Sequence, residues 1–316
     1  MKTSIPVGVS SCLLGNSVRY DGGHKRDYYI TDILASYFHF VPVCPEVECG
    51  LPIPREAMHL VGDVDNPKLI TIRTEVDYTE QMLSYCRQRV RDLEDENICG
   101  FIFKKDSPSC GLHLVKLYLT TNNILKKTRG LFASSVTVHF PLMPAEEEGR
   151  LKDSILRENF IERVFCYKRW KDFLKDAPDY KSLLAFHARH KLLLMAHSPG
   201  HLLPMGKVVA GGKGTPPGEL LSTYEISLME AMSQTATVKK HVNVLMHILG
   251  YFKVFLTKDE KVELLEIIHQ YAGQMVPLLV PLTLLNHYIY KYNVPYLKNQ
   301  LYLKPHTSEL MLRYHV

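Results

Sequence analysis

Three of the seven cysteines stand in distinct short motifs: Ser10-Ser11-Cys12-Leu13-Leu14-Gly15, Cys44-Pro45-Glu46 and Ser107-Pro108-Ser109-Cys110-Gly111. None forms a C-x-x-C pair, which speaks against a zinc finger, a thioredoxin-type redox pair and the close cysteine triplet of radical enzymes. Three thiolates from separate loops fit one soft metal centre. A cubane iron–sulfur cluster held by three cysteines leaves its fourth iron without a protein ligand. A Lewis acid needs such an open position and a structural metal does not. Zinc on the same thiolates would be electron-rich and a poor acid. Cys49 is the complication: as a fourth ligand it would close the cluster, so open-iron chemistry requires it to be a free or buried thiol. Cys86, Cys99 and Cys166 lie in apolar patterns and read as packed.

The elements around these motifs alternate. Ile5–Ser11, Phe38–Cys44, Lys68–Arg73 and Ile98–Lys104 read as strands, and Asp27–Tyr37 and Tyr78–Leu93 as helices. Strands separated by helices imply βαβ units and an α/β domain with a mostly parallel sheet, whose ligands bind beyond the carboxyl ends of the strands. Three of the strands run into Cys12, Cys44 and Cys110, which places the cysteines on one edge of the sheet. The proline-rich, acidic stretch Pro141–Arg150 reads as the domain boundary. Beyond it, Leu151–Leu174, Tyr180–Ala196, Leu220–Leu249 with a break, Lys258–Ala272 and Leu278–Tyr292 have helical periodicity. The second domain is therefore expected to be all α, with Pro204–Gly218 as a long glycine- and lysine-bearing loop. The expected domains are residues 1–148 and 149–316.

At 316 residues, 46% hydrophobic and 22% charged, the chain is long enough for two ordinary globular cores. It has no low-complexity tract, no apolar run of membrane-spanning length and no signal-peptide core, so a soluble, cytoplasmic protein is expected. An odd cysteine count without an export signal argues for thiols, ligands or nucleophiles rather than disulfides. Residues 1–150 carry 17 Lys/Arg against 19 Asp/Glu, whereas residues 151–316 carry 21 against 14. The second half thus holds all the excess positive charge, which points to a polyanionic partner or to a well-solvated basic surface.

The pattern CLLG-x-x-x-RYDGG from Cys12 to Gly23, the CPE of Cys44–Glu46 with Pro54-Arg55 following, and KKDSPSCG from Lys104 to Gly111 together resemble the bacterial thiouracil desulfidases. The resemblance covers nearly all of residues 1–145. In the second half, Arg157–Phe165, Phe186–Pro199, Lys239–Lys253 and Pro277–Ile289 resemble the YbgA-type helical domain. The fused arrangement is similar to desulfidases of 4-thiouridine in transfer RNA. The resemblance implies that Cys12, Cys44 and Cys110 hold a [4Fe-4S] cluster, that Glu46 and Ser107 are the catalytic helpers, and that thiolated pyrimidines are the substrates.

A soft thiocarbonyl sulfur prefers iron in a sulfide cluster to a hard cation. Glu46 is then placed to take a proton from water, and Ser107 to bond a ring heteroatom. Arg19, Asp21, Lys104 and Ser109 are the candidate substrate contacts. Each has a plainer reading: Glu46 pairs with Arg19 or Arg55, Ser107 and Asp21 shape turns, and the lysine ends a solvated strand.

Arg169 and Lys171 on one helix, Lys207 and Lys213 in the glycine loop, and Lys239 and Lys240 are the candidate RNA contacts. The ten histidines of the second half include His187, His190, His197 and His241 at helical spacing. They lack the H-E-x-x-H pattern and are read as structural or polyanion-contacting. Two alternatives stand beside the transfer-RNA reading: a desulfidase of free thiouracil whose helical half serves dimerisation, and a non-enzymatic iron–sulfur sensor that binds nucleic acid. Oligomeric state is not legible in the sequence.

Overall fold

The computed structural model describes residues 4–120 and 123–304. The chain divides into two compact units, Met1–Phe160 and Ile161–Val316.

The first unit is built on two four-stranded sheets. Its strands and helices are β1 (Ile5–Ser10), β2 (Phe38–Val43), α1 (Pro45–Glu48), β3 (Met58–Gly62), β4 (Pro67–Thr71), α2 (Thr79–Asp95), β5 (Phe101–Phe103), β6 (Val115–Thr120), β7 (Asn123–Thr128), α3 (Leu131–His139) and β8 (Ala145–Glu147). The first sheet has the order β2-β1-β5-β8 with every pair parallel. Its central strand β1 is buried almost throughout, which explains the unbroken apolar run in its sequence. Gly8 of β1 lies under the Phe101 ring, where a Cβ would meet ring carbons at 2.2 Å. Phe101 stacks on Phe103 with centroids 4.1 Å apart, and both rings pack edge-on to Phe132 of α3. On α2 the buried stripe Met82, Cys86, Val90 and Leu93 follows helical spacing.

Several sequence-based expectations need correction. Lys68–Arg73 does not join the parallel sheet: its strand, β4, pairs antiparallel with β3 in a second sheet of order β4-β3-β6-β7. The segment expected as a helix over 27–37 forms a π-helical turn, Tyr29–Ile33, and a tight turn, Leu34–Ser36. The acidic stretch expected as an interdomain boundary contains β8, the outer strand of the first sheet, with Glu146, Glu147 and Glu148 buried. Composition hid this strand because the carboxylates lie indoors with bonded partners rather than in solvent.

The second unit is helical. Its helices are α4 (Ser154–Lys175, which begins in the first unit), α5 (Tyr180–His197), α6 (Pro199–Gly211), α7 (Pro217–Ser233), α8 (Val238–Tyr251), α9 (Lys258–Ala272), α10 (Leu279–Lys291) and α11 (Pro295–Lys298). The loop expected over 204–218 is mostly α6. Met205 and Val209, one turn apart, are buried, and that contact outweighs the low helix propensity of Pro204 and the glycines. Trp170, Phe186 and Tyr224 form an aromatic core with centroids 5.3–6.2 Å apart. Among the described residues no helix is long and apolar enough to cross a membrane.

Candidate iron–sulfur site

Cys12 sits in a tight turn, Ser11–Leu14, directly after β1; Gly15, with φ of 95°, closes that turn in the left-handed region. Its carbonyl accepts the Lys25 N–H at 2.9 Å, which ties the cysteine to the chain beyond the RYDGG loop. Cys44 follows β2 as the residue capping α1, with Pro45 at the first helical position. Glu48 holds it by accepting the Cys44 backbone N–H at 2.6 Å. Tyr85, donating to the same carboxylate at 2.5 Å, fixes Glu48 in turn.

Cys110 lies beyond β5 in a turn organised by Ser107. The Ser107 Oγ accepts the N–H of Cys110 at 3.1 Å and of Ser109 at 3.3 Å. The entry of α3 braces this turn: the N–H groups of Leu131 and Phe132 donate to the carbonyls of Pro108 and Ser109 at 3.1 and 3.0 Å. Gly130 makes that approach possible, since a Cβ there would meet Ser109 O at 2.4 Å.

All three cysteines line one cavity of about 380 Å³, together with Arg19, Lys25, Glu46, Lys104, Lys105 and Ser107. Burial pushes the Cys12 thiol up to about 11; the Lys104 and Arg19 charges pull against that rise, and Cys44 adds to it. Burial also raises Cys44, against a backbone N–H from Val47. Cys110 is raised well above an ordinary thiol, first by burial and then by the charges of Cys44, Glu46 and Cys12, with the Ser10 hydroxyl opposing. Three thiols, those of Cys12 and Cys110 buried and that of Cys44 half-buried, resist ionisation and repel one another as thiolates, which makes a donor set suited to a cationic soft centre whose binding would drive the protons off. Among the described residues no three of His, Cys, Asp and Glu close on a single metal ion. Thiolates carried by different irons of one cluster stand further apart than the ligands of a single ion.

Glu46 is held on both carboxylate oxygens in the cavity wall. Its Oε1 accepts the Ser109 hydroxyl at 2.6 Å, and its Oε2 accepts Arg55 Nε at 2.9 Å and Arg55 Nη2 at 2.5 Å. Arg55 is itself nearly buried, and its Nη2 also donates to Val18 O at 3.0 Å. Ser109 is fully buried and does not line the cavity, so it orients Glu46 rather than facing a ligand. Asp21 caps its own turn by accepting the Gly23 N–H at 3.0 Å, pairs with Arg19 at 3.4 Å and lies outside the cavity lining. Lys104 lines the cavity and pairs with the buried Glu148. Cys49 is also outside the lining, with its thiol donating to Glu46 O at 3.2 Å.

Sequence motifs single out the cysteines, Glu46 and Ser107, but not Glu48, Gly130, Glu147 or Glu148. The acidic run at 146–148 is a signal for the last two, and Glu48 and Gly130 carry none.

In the helical unit, Lys207, Lys213 and Lys239 are exposed. Lys240 is not available in the same way: its Nζ donates to His197 O at 2.6 Å and Thr235 O at 2.7 Å, which caps the end of α5. Lys171 rests over the Tyr167 ring at 5.7 Å. Arg169 is half-buried, and its charge, after burial itself, helps keep the buried His190 well below an ordinary histidine. His197 is also buried, within 2.9 Å of Glu162.

Fold and site together define an α/β cysteine-site domain joined to an all-α domain. The 2-thiouracil desulfurase family matches residues 7–148, and DUF1722, a family of unknown function, matches residues 191–307. The chain is 31% identical over 134 residues to the uncharacterized protein YbgA of Escherichia coli K12, an alignment covering 42% of this chain and 79% of YbgA. It is 34% identical over 109 residues to the uncharacterized protein YbbK of Bacillus subtilis 168, covering 33% of this chain and 71% of YbbK. A solved structure of the [4Fe-4S]-dependent thiouracil desulfidase TudS is 25% identical, with a TM-score of 0.40 over 48% of this chain and 95% of that one. The chain belongs to the 2-thiouracil desulfurase family, in the form that carries a YbgA-type helical domain fused behind it.

Proposed function

We propose that the protein is a cytoplasmic, iron–sulfur-dependent desulfidase that replaces the sulfur of a thiolated uracil by water oxygen without net redox change, acting on 4-thiouridine in transfer RNA. The observation that carries this reading is the convergence of Cys12, Cys44, Cys110 and Glu46 on one cavity. Family membership supports the chemistry. No disulfide joins any of the seven cysteines, as a reducing compartment favours.

Cys12, Cys44 and Cys110 would hold a [4Fe-4S] cluster. Bound there, it would supply an open iron that polarises the C=S bond and makes sulfide a workable leaving group. The remaining work falls to the chain. Glu46 Oε1 uses one lone pair on Ser109 and keeps another to take a proton from the attacking water. The Arg55 guanidinium, bonded twice to Oε2, fixes the plane of the carboxylate. Ser107 Oγ only accepts from the backbone, so its own proton is free to bond a ring heteroatom.

Arg19, Lys25, Lys104 and Lys105 put positive charge around the cavity, and the helical unit, taken by itself, carries exposed lysines. Both features support a polyanionic substrate. Extruding the base from its stack costs a few kcal/mol, which phosphate contacts offset. The size of the cavity, about 380 Å³, favours a second reading, since it also suits a free base.

The test is anaerobic turnover of 4-thiouridine-containing transfer RNA beside free thiouracil, followed by loss of the thiocarbonyl absorbance. Transfer RNA is expected to react at the lower KM, with kcat/KM falling steeply as salt rises. Equal or better use of the free base, with no salt dependence, would select the second reading.

A further inference from the structure

We propose that Glu147 and Glu148, at the end of β8 and just after it, are positioning residues that hold the Cys110 segment in its ligand-bearing shape; this rests on the cluster reading of the cavity. Both carboxylates are buried, 5% and 8% exposed. Buried carboxylates are costly unless their oxygens are bonded, so their partners show what they are kept for.

Glu147 Oε1 accepts the backbone N–H of Leu112 at 2.8 Å and of His113 at 3.0 Å, immediately after Cys110-Gly111. Glu148 grips the other end: its Oε2 accepts the Lys105 N–H at 2.8 Å, and its Oε1 takes the Lys104 ammonium. The segment that carries Ser107 and Cys110 is therefore stapled on both sides. The staple is anchored because β8 pairs in register with β5, Phe103 opposite Glu147. Glu146 differs, turning to Arg150 Nε at 2.7 Å. The Glu148 bond also holds Lys104 on the cavity wall, where its charge bears on Cys12. Removing a partner behind a ligand commonly lowers metal affinity by roughly 10–100-fold.

The experiment uses the full chain with two readouts: iron release to a chelator from anaerobically reconstituted protein, and iodoacetamide alkylation of each cysteine in metal-free protein, read by mass spectrometry. Glu147→Leu is expected to release iron on the order of tenfold faster. It is also expected to expose Cys110 selectively to alkylation, with Cys12 and Cys44 at wild-type rates. Glu147→Gln keeps an acceptor oxygen and should restore both readouts. Glu147→Asp, a milder change for the case where Leu does not fold, should move Cys110 in the same direction by a smaller factor. Unchanged Cys110 alkylation in Leu and Asp alike, or a rise shared equally by all three cysteines, would overturn the positioning role. Wild-type protein that takes up no iron would instead overturn the cluster reading, while Cys110 alkylation still decides the positioning.

Discussion

Burial raises the Cys12 thiol from 9.0 to about 11, so the folded, metal-free protein favours the neutral thiol more than the unfolded chain does. The resulting stability is present below pH 9 and is lost as pH rises towards about 11, because the unfolded chain ionises first. The rise corresponds to roughly 2–3 kcal/mol. Urea unfolding of metal-free protein should therefore fall more steeply between pH 9 and 11 than in Cys12→Ala; parallel curves would show that burial of this thiol is not the cause. The same residues mark what could be read in advance. Cysteines in compact motifs announce themselves because few side chains do their chemistry. Their supports do not: Glu46 and Ser109 are 63 positions apart in sequence, and only the fold brings them within 2.6 Å.

β1 was legible because a strand buried almost throughout is a nearly continuous apolar run, β2 because aromatic and β-branched residues dominate it although it is a partly exposed edge strand, and α2, α5 and α9 because their buried residues recur at helical spacing. β8 and α6 were not. One places carboxylates indoors, and the other keeps helical geometry through prolines and glycines, so tertiary contacts override local composition in both. The entry of α3 is packed closely against the Cys110 turn. Gly130→Ala would drive a Cβ to 2.4 Å from Ser109 O, against backbone that cannot swing away. The expected cost is about 1–3 kcal/mol by urea unfolding, with weakened iron retention. An unchanged midpoint would mean that α3 shifts without disturbing the turn.

Across the whole chain, the charge asymmetry separates lysines that can meet phosphate from one that serves the fold. Replacing Lys207, Lys213 and Lys239 by Ala should weaken transfer-RNA binding and flatten its salt dependence, by about one in log–log slope for each phosphate that is no longer neutralised. Lys240→Ala should mainly lower the thermal midpoint, since its ammonium closes the end of α5. Loss of RNA affinity from Lys240→Ala alone would contradict that division. Three cysteines, and not Cys49, are expected to carry the chemistry. The measurement that tests this most directly is anaerobic reconstitution of wild type and of Cys12→Ala, Cys44→Ala, Cys110→Ala and Cys49→Ala, with iron, sulfide and loss of thiocarbonyl absorbance recorded for each. Wild type and Cys49→Ala should take up a cluster and turn over substrate, and the other three should lose both. Turnover that survives loss of Cys110, or that vanishes with Cys49, would contradict a cluster held by Cys12, Cys44 and Cys110.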